Sequence, residues 1–224
     1  MNRRWLAAAV LAGIVLSAVP ICGGAQADPN PDRGDIREIR VGMDLAKVPR
    51  DGYSGLRCAD QPEVKLSGWE EFGRCGADGS GLHAVRFAYD EEQNSALAKL
   101  SDRWEGTKVA GHPALLTLLI SDDRTVQGLR IETDPKARAY YHKKAYLLGL
   151  RVRERYGEDG WSCTDQPAAA GETDVGGMFI KKDCEKTAGD RHLVLRTRLY
   201  RTPKEKGTTS FESATEVEIL HVAS

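Results

Sequence analysis

Residues capable of chemistry occur throughout this chain, but their spacing does not assemble a reactive site. The five histidines, His83, His112, His142, His192 and His221, are scattered, and no two stand at metal-ligand spacing. They read as surface or interface residues, with His83 and His192 near the starts of corresponding strands. A serine nucleophile needs a strained turn such as G-x-S-x-G, and Gly52-Tyr53-Ser54-Gly55 lacks that spacing, so Ser54 reads as a turn residue. Neither H-E-x-x-H nor C-x-x-C-H is present. Glu70-Glu71, Asp90-Glu91-Glu92 and Asp122-Asp123 bring carboxylates together, but adjacency alone builds neither an acid–base pair nor a calcium loop. These read as turns or solvated faces. The expectation is a protein that is not an enzyme and uses no cofactor and no metal.

The spacing that does carry information belongs to cysteine. Gly52-Tyr53-Ser54-Gly55-Leu56-Arg57-Cys58-Ala59-Asp60-Gln61-Pro62 returns without a gap as Gly157-Glu158-Asp159-Gly160-Trp161-Ser162-Cys163-Thr164-Asp165-Gln166-Pro167. The shared pattern is G-x-x-G-[L/W]-x-C-x-D-Q-P. A second cysteine follows each copy, Cys75 and then Cys184. Internal repetition of this kind implies two related units. The Asp60-Gln61-Pro62 and Asp165-Gln166-Pro167 segments read as turns, since Asp bonds nearby backbone N–H groups and Pro fixes the chain direction.

The amino terminus reads as a secretory signal over residues 1–27. Arg3 and Arg4 are basic, Trp5 to Ile21 is apolar, and Ala25-Gln26-Ala27 is an A-x-A cleavage site before Asp28. A lipidated Cys22 would want a small residue before it, and Ile21 is not small. Cleavage leaves four cysteines, and export favours disulfides among them. Four cysteines allow three pairings; the repeat favours Cys58–Cys75 and Cys163–Cys184, because each unit then closes its own loop. Zinc would require close C-x-x-C spacing, which is missing. The formal charge of −1 argues against general nucleic-acid affinity. No second long apolar stretch follows, so no membrane span is expected after cleavage, and the expected location is the periplasm or the exterior.

Residues 28–35 form a polar, proline-rich lead-in, followed by a first unit over 36–133 and a second over 134–224. Asp44 to Val48 predicts a helical turn or two stopped at Pro49. Leu82 to Tyr89 predicts a strand with Val85, Phe87 and Tyr89 alternating, and Glu91 to Leu100 a short helix. Lys108 to Thr133 predicts a hairpin that turns at Ser121-Asp122-Asp123-Arg124. The strongest helix signal runs from an Asp134 N-cap and Pro135 at the first helical position to Gly157. Ala137, Tyr141, Ala145, Leu148, Val152 and Tyr156 form its apolar stripe. Met178 to Lys182, Leu193 to Tyr200 and Glu216 to Val222 predict strands, and Thr202 to Thr209 a polar connection. The expected fold class is therefore α+β, with two helix-plus-antiparallel-sheet units, each stapled by one disulfide.

The run Ile36-Arg37-Glu38-Ile39-Arg40-Val41-Gly42-Met43, followed by a short helix, two cysteines and an aromatic strand, resembles the β-lactamase-inhibitor-protein fold. Small outer-membrane-assembly lipoproteins share that fold. The resemblance covers Ile36 to about Tyr89 and is weaker in the second unit, which has no Gly-Met. It implies helix pairs packed on four-stranded sheets and a concave sheet surface that grips another protein. In the inhibitor, a hairpin after the second cysteine inserts an acidic residue into its target. The matching stretch is Gly76-Ala77-Asp78-Gly79-Ser80-Gly81, whose only acid is Asp78. Its plain reading is a Gly-rich turn.

The remaining partner-binding candidates are Trp69 and Phe72, which lie inside the first cysteine loop between Gly68 and Gly73. Lys136, Arg138, Lys143, Lys144, Arg151, Arg153 and Arg155 make the expected long helix basic, either as a solvated face or as a dock for anionic lipid or an acidic protein. The expected function is an exported, non-catalytic protein-binding module of the cell envelope: an inhibitor, chaperone or assembly factor. The alternative is a periplasmic small-ligand carrier or sensor that uses the cleft between the units.

Overall fold

Alternation of apolar and polar residues fixes which side of the chain is buried. Val85 and Phe87 are buried while Ala84, Arg86 and Ala88 between and beside them stay partly covered; Val217 and Ile219 are buried while Glu216 and Glu218 are not. A two-residue period of this kind makes half-buried strands. The computed structural model describes residues 34–89, 107–137, 139–142, 144–203 and 209–222. Within them lie strands β1 (Tyr53–Cys58), β2 (Leu82–Tyr89), β3 (Thr107–Val109), β4 (His112–Ser121), β5 (Val126–Thr133), β6 (Ser162–Asp165), β7 (Ile180–Ala188), β8 (Arg191–Pro203) and β9 (Thr209–His221).

All the strand pairings are antiparallel, and together they form one sheet in the order β1-β2-β4-β5-β9-β8-β7-β6, with β3 paired to β4. Two meanders, β1-β2-β4-β5 and β6-β7-β8-β9, meet where their last strands pair, from Gly128 opposite Leu220 to Glu132 opposite Glu216. Phe87, Leu116, Leu118, Leu129, Leu193, Leu195, Val217 and Ile219 form a continuous core on one face. Burying each such side chain contributes about 1.5–3 kcal/mol relative to exposure.

Helix is scarce, and this corrects the α+β expectation of two helix-plus-sheet units. The protein is mainly one antiparallel sheet, and its one α-helix of more than a single turn among the described residues is α1 (Leu147–Tyr156). Among its described residues the first half carries only the 3-10 helices Leu45–Lys47 and Trp69–Arg74. Asp44 caps the former through Ala46 N–H at 2.8 Å, and the chain leaves helical geometry at Val48, just before Pro49. The long helix expected from Asp134 is interrupted. Asp134 is fully buried and caps a tight turn by accepting from Lys136 N–H at 2.8 Å. A single helical turn follows at Ala139–His142. Ala145 C=O is then taken by the Thr215 hydroxyl of β9 at 2.8 Å. Between the two helical pieces the backbone runs in three-residue turns, Lys144 N–H to Tyr141 C=O at 3.0 Å, Ala145 to His142 at 3.1 Å and Leu147 to Lys144 at 2.9 Å, so the helical period is tightened rather than continued. The expected helix Glu91 to Leu100 lies outside the described residues, as does most of the Thr202 to Thr209 connection.

Both disulfides form as the repeat favours. Cys58–Cys75 and Cys163–Cys184 close separations of 17 and 21 residues, each contributing about 3 kcal/mol through the unfolded chain. The repeated glycines also share a reason: Gly52, Gly55, Gly157 and Gly160 all have positive φ, where a side chain is strained. A disulfide-bonded chain of this kind fits an oxidising, non-cytoplasmic compartment. Among the described residues no helix is long and apolar enough to cross a membrane.

Candidate functional site

Among the described residues the helix and 3-10 turns pack on one face of the sheet; the other face carries charge across β8, β9 and β5, and the buried Leu115, Thr117 and Leu119 on β4. Register sets Val194, Glu218, Arg130, Thr117 and Arg86 side by side on five successive strands, and Arg196, Glu216 and Glu132 on the next level. Opposite signs meet across the strands. Arg130 donates to Glu218 through Nε at 2.9 Å and Nη2 at 2.8 Å, Arg196 to Glu216 at 2.6 Å, and Arg86 to Glu132 at 3.3 Å. Arg198 donates to Asp183 at 2.5 Å, and Lys181 to Glu172 at 3.0 Å. Each exposed pair contributes only about 0–1 kcal/mol. Their effect is geometric: a rigid sheet holds guanidinium and carboxylate groups at fixed positions over its breadth. Near one end of this face Leu119 and Leu220 close over Gly128, where a Cβ would lie 2.9 Å from Leu220.

Of the residues singled out in sequence, Trp69 and Phe72 belong to the core rather than to the surface of the first cysteine loop. Trp69 is 3% exposed, Phe72 8%. Trp69 packs edge-on against Tyr53 and Phe87, and its indole N–H donates to Pro49 C=O at 2.9 Å. The 3-10 turn Trp69–Arg74 swings both rings inward, so neither is presented to a partner. Asp78 is exposed. Its carboxylate accepts from Ser80 N–H at 2.8 Å and Leu82 N–H at 3.1 Å, and these bonds hold it below the usual carboxylate range. That geometry makes Asp78 the organiser of the Gly-rich turn. It stands apart from the buried pair.

His83 is also buried, contrary to its surface reading. Its Nδ1 lies 2.6 Å from Cys75 C=O and its Nε2 2.9 Å from the Asp122 carboxylate. Both partners are acceptors, so only the doubly protonated imidazolium satisfies both. The Asp122 hydrogen bond, then that of Cys75, raises the pKa above the ordinary value against burial. His83 therefore ties the first disulfide to the β4–β5 turn. Asp122-Asp123 serves that same turn, with Asp123 accepting from Ser121 at 2.5 Å. Glu71 takes Ser67 N–H and Arg74, while Glu70 pairs with Arg50. Asp90-Glu91-Glu92 lies outside the described residues. The basic groups of α1 are paired: Arg151 with Glu154, Arg153 with Glu158, and Arg155 with Gly34 C=O. Arg138 and Lys143 lie outside the described residues.

A groove of about 750 Å³ runs beneath α1 at the junction of the two meanders. Leu148 and Val152 of α1 border it, with Ile131, Val217 and Ile219 of the sheet and Asp35 and Tyr156 at one end. Asp35 is satisfied on every side. It accepts from Tyr156 Oη at 2.7 Å, Arg191 Nε at 2.7 Å and Val41 N–H at 2.8 Å. Burial, then the Asp35 charge, pushes the Tyr156 phenol up. This network is a pin that joins the segment before β1 to α1 and β8.

Neither the charged face nor the pin was named from sequence. The available signal was the alternation Arg196, Arg198 against Leu195, Leu199, matched by Glu216, Glu218 against Val217, Ile219. Period two reports that these charges share a face; it does not report which strand stands beside which. Comparison with known protein families, curated proteins and solved structures finds no match to this chain.

Proposed function

We propose that this chain is an exported, non-catalytic protein-binding module of the cell envelope, acting as an inhibitor, chaperone or assembly factor in the periplasm or outside the cell. The observation that carries the reading is the sheet face opposite α1, where cross-strand ion pairs are held in register and, among the described residues, no helix lies over them. Part-exposed charges held in cross-strand pairs are already ordered, so a partner of matching pattern meets less of the usual entropic cost of ordering side chains. The two disulfides support an oxidising compartment. The resemblance of the segment from Ile36 to Tyr89 to inhibitors that grip another protein with a sheet points the same way. The test is to express the tagged, oxidised chain in its own host and crosslink it in the envelope fraction. A single partner at a fixed ratio is the expected result; recovery of the bait alone contradicts it.

The groove beneath α1 favours a second reading, a small-ligand carrier. Its volume of about 750 Å³ falls within the range of ligand sites. Thermal stabilisation by a ligand, lost when Val217 is replaced by Trp, is the expected sign of that use.

A further inference from the structure

The two edges of the sheet are finished differently. On β1, Cys58 N–H donates to Val64 C=O at 3.0 Å and Leu66 N–H to Leu56 C=O at 2.9 Å, so residues 64–66 cover the edge as a short extra strand. On β6, among the described residues, nothing plays that part. Cys163 and Cys184 stand directly opposite with Cα atoms 4.0 Å apart, the close spacing of a non-hydrogen-bonded antiparallel pair. The bond from Gln166 N–H to Lys181 C=O continues the same alternation. Ser162 and Thr164 therefore bond to β7, and the peptide N–H and C=O groups of Cys163 and Asp165 point away from the sheet. All four residues of β6 are exposed. An uncovered edge is a template for another strand.

A second feature lies beside that edge. A pocket of about 230 Å³ sits between α1 and the β6–β7 side of the sheet, with Tyr146, Leu150, Phe179 and Ile180 on its apolar side and the Asp165–Lys182 ion pair, 3.2 Å apart, at the edge strand. Leu150 is 55% exposed, an unusual position for a large aliphatic side chain on α1. A strand laid along β6 would turn alternate side chains toward the α1 side, where this pocket opens.

We propose that β6 is a docking edge, to which an extended segment of a partner protein adds as a strand, placing one aliphatic side chain in the pocket between Leu150 and Asp165. Backbone bonds to Cys163 and Asp165 supply affinity, and the pocket selects the side chain. A second copy of this chain fits less well. Its own β6 presents Ser162, Thr164 and Asp165, and its Cys163 is held in a disulfide, so the pocket would stay unfilled. The proposal rests on the protein-binding reading and adds a second surface to the open face.

The test uses the oxidised protein and a random heptapeptide library. Asp165→Pro removes an outward N–H and leaves the β6–β7 backbone bonds in place, a substitution that edge strands tolerate; it also loses the Asp165–Lys182 ion pair, which Asp165→Ala loses alone and so serves as its control. Leu150→Glu puts a carboxylate in the pocket. The expected result is a set of recovered peptides sharing an aliphatic residue, each weakened at least about tenfold by either substitution. The amide of Asp165 should exchange slowly only in the complex. If Asp165→Pro does not fold, Leu150→Glu and the exchange data decide the matter. Peptides indifferent to both substitutions overturn the proposal, and so does a free protein whose Asp165 amide is already protected. A sedimenting mass that falls with Asp165→Pro also overturns it, because the edge then pairs with a second copy. If no peptide is recovered while an envelope partner crosslinks to the open face, the edge proposal fails alone; if neither occurs, the binding reading fails with it.

Discussion

Asp35 and Arg191 are 156 residues apart in the chain, yet Nε and Oδ1 lie 2.7 Å apart with the Asp35 side chain 2% exposed. The pair locks the segment that opens the first meander onto the β7–β8 turn of the second. Arg191 is held in place by Asp190, which also pairs with Arg40.

Removing one partner of a buried pair leaves the other uncompensated. Asp35→Ala is expected to destabilise the fold by about 3–5 kcal/mol, measured by denaturant unfolding. Asp35→Asn keeps the shape but not the charge and should cost less. A loss below about 1 kcal/mol for Asp35→Ala would show that the pin does not hold the halves together.

The two disulfides act on separate loops and should add. Replacing Cys163 and Cys184 by serine is expected to lower stability by about 3 kcal/mol, and the Cys58–Cys75 pair should cost a similar amount. Calorimetry of both double variants and of the reduced protein checks this. A reduced protein as stable as the oxidised one would contradict it.

His83 makes stability depend on pH. Its folded pKa is raised, chiefly by the hydrogen bond to Asp122 and then by Cys75 C=O. A raised value means that the folded state holds the proton more tightly than the unfolded chain. The contribution is thus complete below the unfolded imidazole value of about 6.5 and is lost as pH rises through the higher folded value. Wild-type Tm should fall from acidic to mildly alkaline pH more than that of His83→Gln. Parallel profiles would remove His83 from the account.

Trp69→Ala and Asp78→Ala separate core from surface. The first empties a site among Tyr53 and Phe87 and should cost about 3–5 kcal/mol. The second loosens an exposed turn and should leave Tm nearly unchanged. Equal effects would contradict the placement of Trp69 in the core.

How much of this was legible in the sequence depends on the range of the interaction. The strand Leu82 to Tyr89, the hairpin turn at 121–124 and the helical turn stopped before Pro49 were readable because periodicity and turn chemistry are local, whereas the Asp44 cap appears only in the structure. The disulfide pairing was readable because duplication supplied a second copy to compare. The helix from Asp134 is only partly formed: its apolar stripe is real, but Ala137, Ala145, Leu148 and Val152 are buried along a path that is α-helical only at Ala139–His142 and from Leu147. Trp69 and Phe72 were misplaced because flanking glycines resemble a flexible loop, while the packing of Trp69 against Phe87 is a tertiary fact. The charged face and the Asp35 pin depend on the pairing of β5 with β9, and no local pattern encodes which strands meet.

The claim that the open sheet face is the binding surface can be tested by position. A photo-crosslinking residue is placed at Arg196, on the face, and separately at Glu63, an exposed loop position on the first half, in the oxidised protein within its own envelope. The account predicts one discrete crosslinked protein from position 196, none from 63, and loss of that product when Arg198 is replaced by Glu. Equal crosslinking from both positions, or none from position 196, would contradict it.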